Sequence, residues 1–305
     1  MKLDAEELRR RPLIGHAPLR VELIRRGFDA DGLSGRAVLK RPEMVRDLLD
    51  EYVDAGATLL CTETLEANRL RMKGDPPGDD AAALVRAAVP IARHAADAAR
   101  GTCRVAGQIG PSGRILALGE ASETDLGEAF GEAAAALAAG GADLLLLAHF
   151  ADLDELLIAV RAARRATGLP IVAAMIFGFG PDRTRTAAGA ELLDAVERLV
   201  REGVAGVGCD CAGPEAALPL VRSMAGHADR PIFARINAAD AEWEDGALVY
   251  RESAEAFASR AAELHRAGAV ILAGCCGTTP AYVRALAAAL AGKPSAPRRS
   301  GRRAP

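Results

Sequence analysis

Residues 140–177 read GGADLLLLAHFADLDELLIAVRAARRATGLPIVAAMIF. An apolar run, Asp143–His149, comes first. A segment follows over Leu153–Thr167 whose apolar residues fall three and four apart. A second apolar run occupies Pro170–Phe177. Short apolar runs suit buried strands, and the three-four spacing suits a half-buried helix. The stretch therefore predicts a strand–helix–strand unit, the kind that places two strands parallel.

The same alternation continues in both directions. Strands are expected at Leu13–Ile14, Thr58–Thr64, Arg104–Ile109, Asp143–His149, Pro170–Phe177, Gly206–Cys211, Pro231–Asn237 and Val270–Cys275. Helices are expected at Glu43–Ala55, Asp79–Ala99, Glu123–Ala139, Leu153–Thr167, Ala190–Glu202, Pro214–His227 and Ala254–Ala267. Gly56, Gly141, Gly203 and Gly268 stand just past four of these helices, the usual place for a glycine. Repeated β–α alternation predicts an α/β fold, a (β/α)8 TIM barrel in a single domain over residues 1–291. An open doubly wound sheet is the structural competitor. The stretch 292–305, rich in Pro, Ser and Arg, is expected to be a disordered basic tail.

The bulk numbers narrow the function classes. The chain has 305 residues, half of them apolar, and only 4% aromatic, so Ala, Leu and Val must fill the core. Its formal net charge of −3 supplies no pull toward nucleic acid or membrane. No apolar run reaches the roughly 18–20 residues that span a bilayer. The N-terminal MKLDAEELRRRPL is charged and lacks the apolar stretch of an export signal. A cytoplasmic protein is expected, with no nucleic-acid or membrane partner.

Six cysteines remain to be explained: Cys61, Cys103, Cys209, Cys211, Cys275 and Cys276. In a reducing compartment they suit metal or redox chemistry better than disulfides. Cys61 and Cys103 are expected to be core thiols. The other four stand at strand ends. Functional residues of a parallel barrel sit at the C-terminal ends of its strands. The sixth strand ends in Cys209-Asp210-Cys211, and the eighth in Cys275-Cys276. Three thiolates gathered there suit Zn2+ and leave a fourth tetrahedral position open, the mark of a catalytic site. An entering thiol would lose its proton there and become a nucleophile. Gly274 and Gly277 flank the pair and are expected to let the backbone turn sharply. The plainer alternative is that these cysteines are small buried hydrophobes. Cys209 and Cys211 are two apart and are expected on one face of the strand, so geometry alone leaves the choice between them open.

The run AGAVILAGCCGTTPAYVRAL, residues 267–286, resembles the C-terminal signature of the homocysteine S-methyltransferase family, with its GGCCG-x-x-P motif. RPEMVRDLLDEYVDAGATLLCTETLEAN (41–68), VAGQIGPSG (105–113), GVAGVGCDCAGPE (203–215) and PIFARINA (231–238) are similar to further family stretches. The resemblance implies a zinc (β/α)8 barrel that moves a methyl group to homocysteine. It implies Cys275 and Cys276 as metal ligands. It implies Cys211 as the third, with Asp210 at the usual Asn; Cys209 fits only with an insertion before Gly213–Pro214.

Two departures concern the acceptor. The family's first-strand Asp is missing from Leu-Ile-Gly-His-Ala (13–17), and its fourth-strand Glu falls on Ala148. In the family these carboxylates help hold the amino group of homocysteine. Glu63 stands where the family usually has Asn. The candidate substrate-binding residues are thus Glu63, Thr64, His149, Asn237 and His16. His149 could serve as ligand, base or anion contact, or simply fill the rim. Glu63 could meet a substrate cation or a neighbouring Arg, and Asn237 could orient a substrate or a loop. GQIGPSG (107–113) lacks the P-loop lysine and reads as a loop at the barrel mouth. Trp243, in an acidic loop after the seventh strand, either covers the mouth or is ordinary loop.

The expected function is zinc-dependent methyl transfer from an activated donor to a thiol. The partners expected are a small-molecule thiol and methyl donor, with a separate methyl-carrier protein as a further possibility. A demethylase or a methyltransferase acting on another sulfur compound, and an inactive zinc-binding regulatory barrel, are the alternatives.

Overall fold

The computed structural model describes residues 3–28, 34–72, 80–239, 242–244 and 247–292. Its strands are β1 (Leu13–Gly15), β2 (Leu59–Cys61), β3 (Arg104–Ile109), β4 (Leu144–Phe150), β5 (Ile171–Met175), β6 (Gly206–Ala212), β7 (Ile232–Ile236) and β8 (Ala269–Gly274). They pair in parallel and close into a barrel in the order β1-β8-β7-β6-β5-β4-β3-β2. The sheet is a barrel, and the open doubly wound alternative is set aside.

The helices are α1 (Ala5–Arg10), α2 (Leu19–Arg25), α3 (Ala37–Lys40), α4 (Pro42–Asp54), α5 (Ala81–Ala98), α6 (Glu123–Ala139), α7 (Leu153–Ala166), α8 (Leu192–Arg201), α9 (Pro214–His227), α10 (Ala254–Arg266) and α11 (Pro280–Leu290). Local chemistry starts and stops them. Asp80, Asp152, Ser253 and Thr279 accept backbone N–H bonds at the starts of α5, α7, α10 and α11. Ser122 and Asp125 form a reciprocal capping box on α6. The glycines after α4, α6, α8 and α10 all have positive φ, 77–122°.

The core has two layers. Leu144, Leu146, Val172, Ala174, Phe233 and Ile271 fill the barrel interior, together with Cys61. Alternate residues of the same strands, such as Leu145, Leu147, Ala173 and Val207, pack outward against the helices. Leu8 of α1 joins the interior cluster, so this short N-terminal helix plugs one end of the barrel.

The expected boundaries hold to the residue for β3, α6 and α9 and drift elsewhere. The strand expected over Thr58–Thr64 ends at Cys61, because Thr62 and Thr64 turn to side-chain bonds. Gln108 N–H donates to Thr62 Oγ1 at 3.0 Å, and Thr64 Oγ1 donates to the Gln108 carbonyl at 2.6 Å. The strand expected over Pro170–Phe177 ends at Met175, and Phe177 instead opens a hairpin (Phe177–Phe179 with Arg185–Thr186). Helices α1, α2, α3 and α11 lie outside the segments expected from apolar spacing. Of the tail 292–305, all but Gly292 lies outside the described residues.

Packing is tight where β6 meets β7. A Cβ on Gly208 would collide with the Phe233 carbonyl oxygen and stand 2.7 Å from the Phe233 Cβ. Gly208→Ala is therefore expected to destabilise the barrel by about 1–3 kcal/mol, read as a lower midpoint in urea. An unchanged midpoint would show that the strands can separate freely there.

Candidate active site

The site begins with two irregularities in the barrel. Along β4 the residues facing the interior are Leu144, Leu146 and Ala148, but pairing with β5 slips between Leu147 and Phe150. The extra residue is His149, with φ +68°. Along β6 the pairing with β7 slips between Cys209 and Ala212, and Cys211 has φ +50°. Left-handed backbone is uncommon for residues with a side chain and costs of order 1 kcal/mol each. Each bulge turns a side chain toward the mouth that regular alternation would have sent elsewhere.

The β6 bulge corrects the expectation that Cys209 and Cys211 share a face. Cys209 is fully buried in the outer layer with Val207 and Ala212. Burial pushes its thiol up to about 12. Cys211 turns to the rim instead. Its Sγ lies 3.7 Å from Cys276 Sγ, and Cys275 Sγ lies 4.0 Å from Cys276 Sγ. The three sulfurs all fall within 4.8 Å of one another. Sulfurs around a tetrahedral ion at zinc–sulfur distance stand about 3.8 Å apart, so this trio has the right chemistry and nearly the right spacing for Zn2+. Gly277 carries the φ of +79° expected of a sharp turn. Gly274 does not; it is needed for room, since an added Cβ would strike Thr278.

The three thiols shift one another's acidity through their contacts. Hydrogen bonds from Cys211 and Cys275, opposed by burial and helped by Tyr250, bring the Cys276 thiol down to about 2. The bond with Cys275 favours a Cys211 thiolate, but the contact with Cys276 and burial outweigh it and raise Cys211 to about 12. Cys275 is raised by the same sulfur contacts and by burial. Asn237, just past β7, ties both loops together. Its Oδ1 accepts from the Cys276 N–H at 3.2 Å and lies 3.4 Å from Cys211 Sγ, while its amide donates to the Cys211 carbonyl at 3.2 Å.

A buried ion pair supports this rim. Asp210 is wholly buried and accepts from Arg235 Nε at 2.6 Å and Nη2 at 2.8 Å. It also accepts from the His149 N–H at 2.8 Å. Burial would raise the Asp210 carboxyl, but Arg235 and His149 hold it well below the usual carboxylate range. His149 Nδ1 stands 2.8 Å from Arg235 Nη2 and 3.0 Å from Asp210.

A cavity of about 210 Å³ opens beside the sulfurs. His16, Glu63 and His149 line it with Cys275 and Cys276; so do Gln108 and Arg235. His16 is buried and kept neutral by desolvation; its Nε2 accepts from the Cys61 N–H at 2.8 Å, and Nδ1 faces the Ala17 carbonyl at 2.5 Å. Thr64 and Asn237 lie outside this lining: the first bonds β3, the second the cysteine loops. Trp243 stands on a short hairpin and is 73% exposed. Cys61 and Cys103 stay away from the trio, both pushed up to about 11 by burial.

Sequence reasoning passed over Arg235, Ser34, Gln108 and Tyr250. Arg235 had a signal: in IFARI it takes the inward position two after Phe233, where a guanidinium needs an anion. Tyr250 had none, because it reaches the cysteines only through the path of the chain after β7.

A sequence profile described as homocysteine S-methyltransferase matches residues 7–290. The chain belongs to the homocysteine S-methyltransferase family. Relatives of this family member include methionine synthase of Mycobacterium tuberculosis (strain ATCC 25618 / H37Rv), 31% identical over 265 residues, which cover 82% of this chain and 22% of the relative. Betaine--homocysteine S-methyltransferase 1 of Bos taurus is 26% identical over 302 residues, 92% of this chain and 72% of the relative. The family member thus spans about a fifth of the length of the methionine synthases it matches. The metallated form of the homocysteine methyltransferase MmuM from Escherichia coli has the same fold, with TM-score 0.76 at 24% identity over 91% of this chain and 96% of that one. The oxidized form of MmuM gives the same TM-score, 0.76, at 26% identity, with 91% and 95% covered.

Asp210→Asn leaves a buried guanidinium short of its counter-charge and is expected to cost about 3–5 kcal/mol. The gap from wild type should be full above about pH 4, the ordinary carboxylate range, and shrink as pH falls below it, because the depressed carboxyl gives its stability only while the unfolded chain's Asp is also ionised. Urea titrations of both proteins at several pH values measure this.

Proposed function

We propose that this chain is a zinc-dependent methyltransferase that moves a methyl group from an activated donor to a thiol, with homocysteine as the first acceptor to test. The observation that carries the reading is the convergence of Cys211, Cys275 and Cys276 at one rim, at spacings of 3.7 and 4.0 Å between neighbouring sulfurs. The names of its relatives, methionine synthase and betaine--homocysteine S-methyltransferase, support the acceptor. Cys211, Cys275 and Cys276 would hold the ion. Bound Zn2+ would supply the positive charge that keeps an acceptor sulfur deprotonated at neutral pH.

The chain's own residues do the rest. Asn237 fixes the two cysteine loops against each other, so the ligand sulfurs are set before substrate enters. The cavity beside Cys275 and Cys276 takes the acceptor's body between Pro18, Val21 and Leu65. His16 is held neutral and adds no charge to that wall. Glu63 and His149 face the same space and are among the polar groups able to read the acceptor's ends. The acceptor sulfur's electron pair forms the new S–C bond as the donor's bond to the methyl breaks and its electrons leave with the donor. Alignment of the two in a dry cavity contributes through proximity. The donor is a small onium compound or a methyl group carried by a separate protein. Among the described residues no helix is long and apolar enough to cross a membrane.

The test is metal analysis paired with methyl transfer. Wild type should hold one zinc per chain. Cys211→Ser, Cys275→Ser and Cys276→Ser should each lose it, while Cys209→Ser keeps it. Asn237→Ala should weaken zinc affinity by about 10–100-fold. Homocysteine should be methylated by at least one of S-methylmethionine, betaine or S-adenosylmethionine. Zinc retained in Cys211→Ser but lost in Cys209→Ser would falsify the ligand assignment; failure of all three donors would exclude them as the methyl source, and a zinc-loaded protein that does not bind homocysteine would sink the acceptor assignment.

A further inference from the structure

Glu63 is the group in the cavity whose charge is least provided for. It follows the end of β2 and lines the cavity. Among the described residues its hydrogen-bond partner is a neutral one, Ser34, whose hydroxyl donates to Oε1 at 2.6 Å. Burial raises the carboxyl, Ser34 lowers it, neighbouring Glu66 raises it again, and the charges of Arg20 and Arg235 lower it, though among the described residues neither forms an ion pair with it. The cations nearby are engaged elsewhere. Arg235 forks onto Asp210, and Arg20 and Arg71 lie 3.8 and 2.8 Å from Glu66. A carboxylate in a partly dry wall with a single neutral donor gains most from a cation that enters the cavity.

The occupant is small. The cavity of about 210 Å³ falls below the roughly 300–1,000 Å³ of drug-sized sites. Cys275, Cys276 and Glu63 line this one cavity, together with the apolar Pro18, Val21 and Leu65. A small ligand that brings its sulfur to the cysteines shares the cavity with Glu63. We propose that Glu63, positioned by Ser34, is the cation anchor of the acceptor subsite, so that the acceptor class is an aminothiol whose ammonium is read from β2. This rests on the zinc–thiol reading above. In the enclosed wall the ammonium and carboxylate form a charge-assisted bond, and a thiol acid without an amine leaves Glu63 facing nothing.

The experiment is calorimetric binding to the zinc-loaded protein, with no donor present, so turnover is not the readout. The probes are L-homocysteine and 4-mercaptobutanoate, which keeps the chain, thiol and carboxylate and lacks the amine. Wild type should prefer homocysteine by about 10–100-fold. Glu63→Gln keeps an acceptor for Ser34 and should fold normally; it should lose most of that preference while its zinc content and its affinity for 4-mercaptobutanoate stay the same. Glu63→Asp should retain part of the preference. Equal affinities in wild type, or an undiminished preference in Glu63→Gln, would overturn the anchor while leaving the zinc–thiol reading standing. If Glu63→Gln instead weakens only sulfonium or betaine binding, the anchor serves the donor and the proposal fails. A wild-type protein that takes up no zinc, or binds neither thiol, defeats the underlying reading and this inference with it.

Discussion

The rim of the barrel depends on one buried carboxylate. Asp210 is enclosed, and its oxygens take two bonds from Arg235 and one from the backbone of His149. The three residues come from β6, β7 and β4. Burying two opposite charges costs several kcal/mol per ion, which a forked guanidinium–carboxylate pair with further hydrogen bonds can offset. What the pair secures here is geometry. It bonds directly to the bulged residue of β4 and adjoins the bulged residue of β6. Those two residues, His149 and Cys211, hold the left-handed conformations that aim their side chains at the mouth.

The chemistry follows from that placement. Cys211 reaches Cys276 because the β6 bulge adds a residue after Cys209. Asn237 then joins the loops from β6 and β8 through bonds on both sides of its amide. The sulfur contacts favour the thiolate form of Cys276, which suits a cation among them. In the same cavity Glu63 presents a carboxyl that the protein itself leaves without an ion-pair partner among the described residues. The site thus brings a sulfur cluster and a buried carboxyl to one cavity.

Much of this was legible in the residues. Eight strands separated by seven helical segments in sequence specify a barrel because parallel strands need helical crossovers, and the apolar spacing locates both. The cysteines announced themselves by standing at strand ends beside glycines. The acceptor-side departures at Ala148 and Glu63 were also visible. Harder to see were Ser34, Gln108 and Tyr250, because nothing in their local sequence distinguishes a cavity wall from a surface. Arg235 sat in plain view at an interior position, but its partner was known only once β6 and β7 were side by side.

The sequence by itself determined the strand and helix alternation, the class of fold and the residue types available for a sulfur-rich metal site, because periodicity and composition are local properties. Tertiary structure decided which of Cys209 and Cys211 joins the trio. Side-chain alternation assigns both to one face, and a bulge between paired strands reverses that for one of them. It also decided that Glu63 faces the cavity without an ion-pair partner among the described residues, since the placement of the neighbouring cations is a property of the closed barrel.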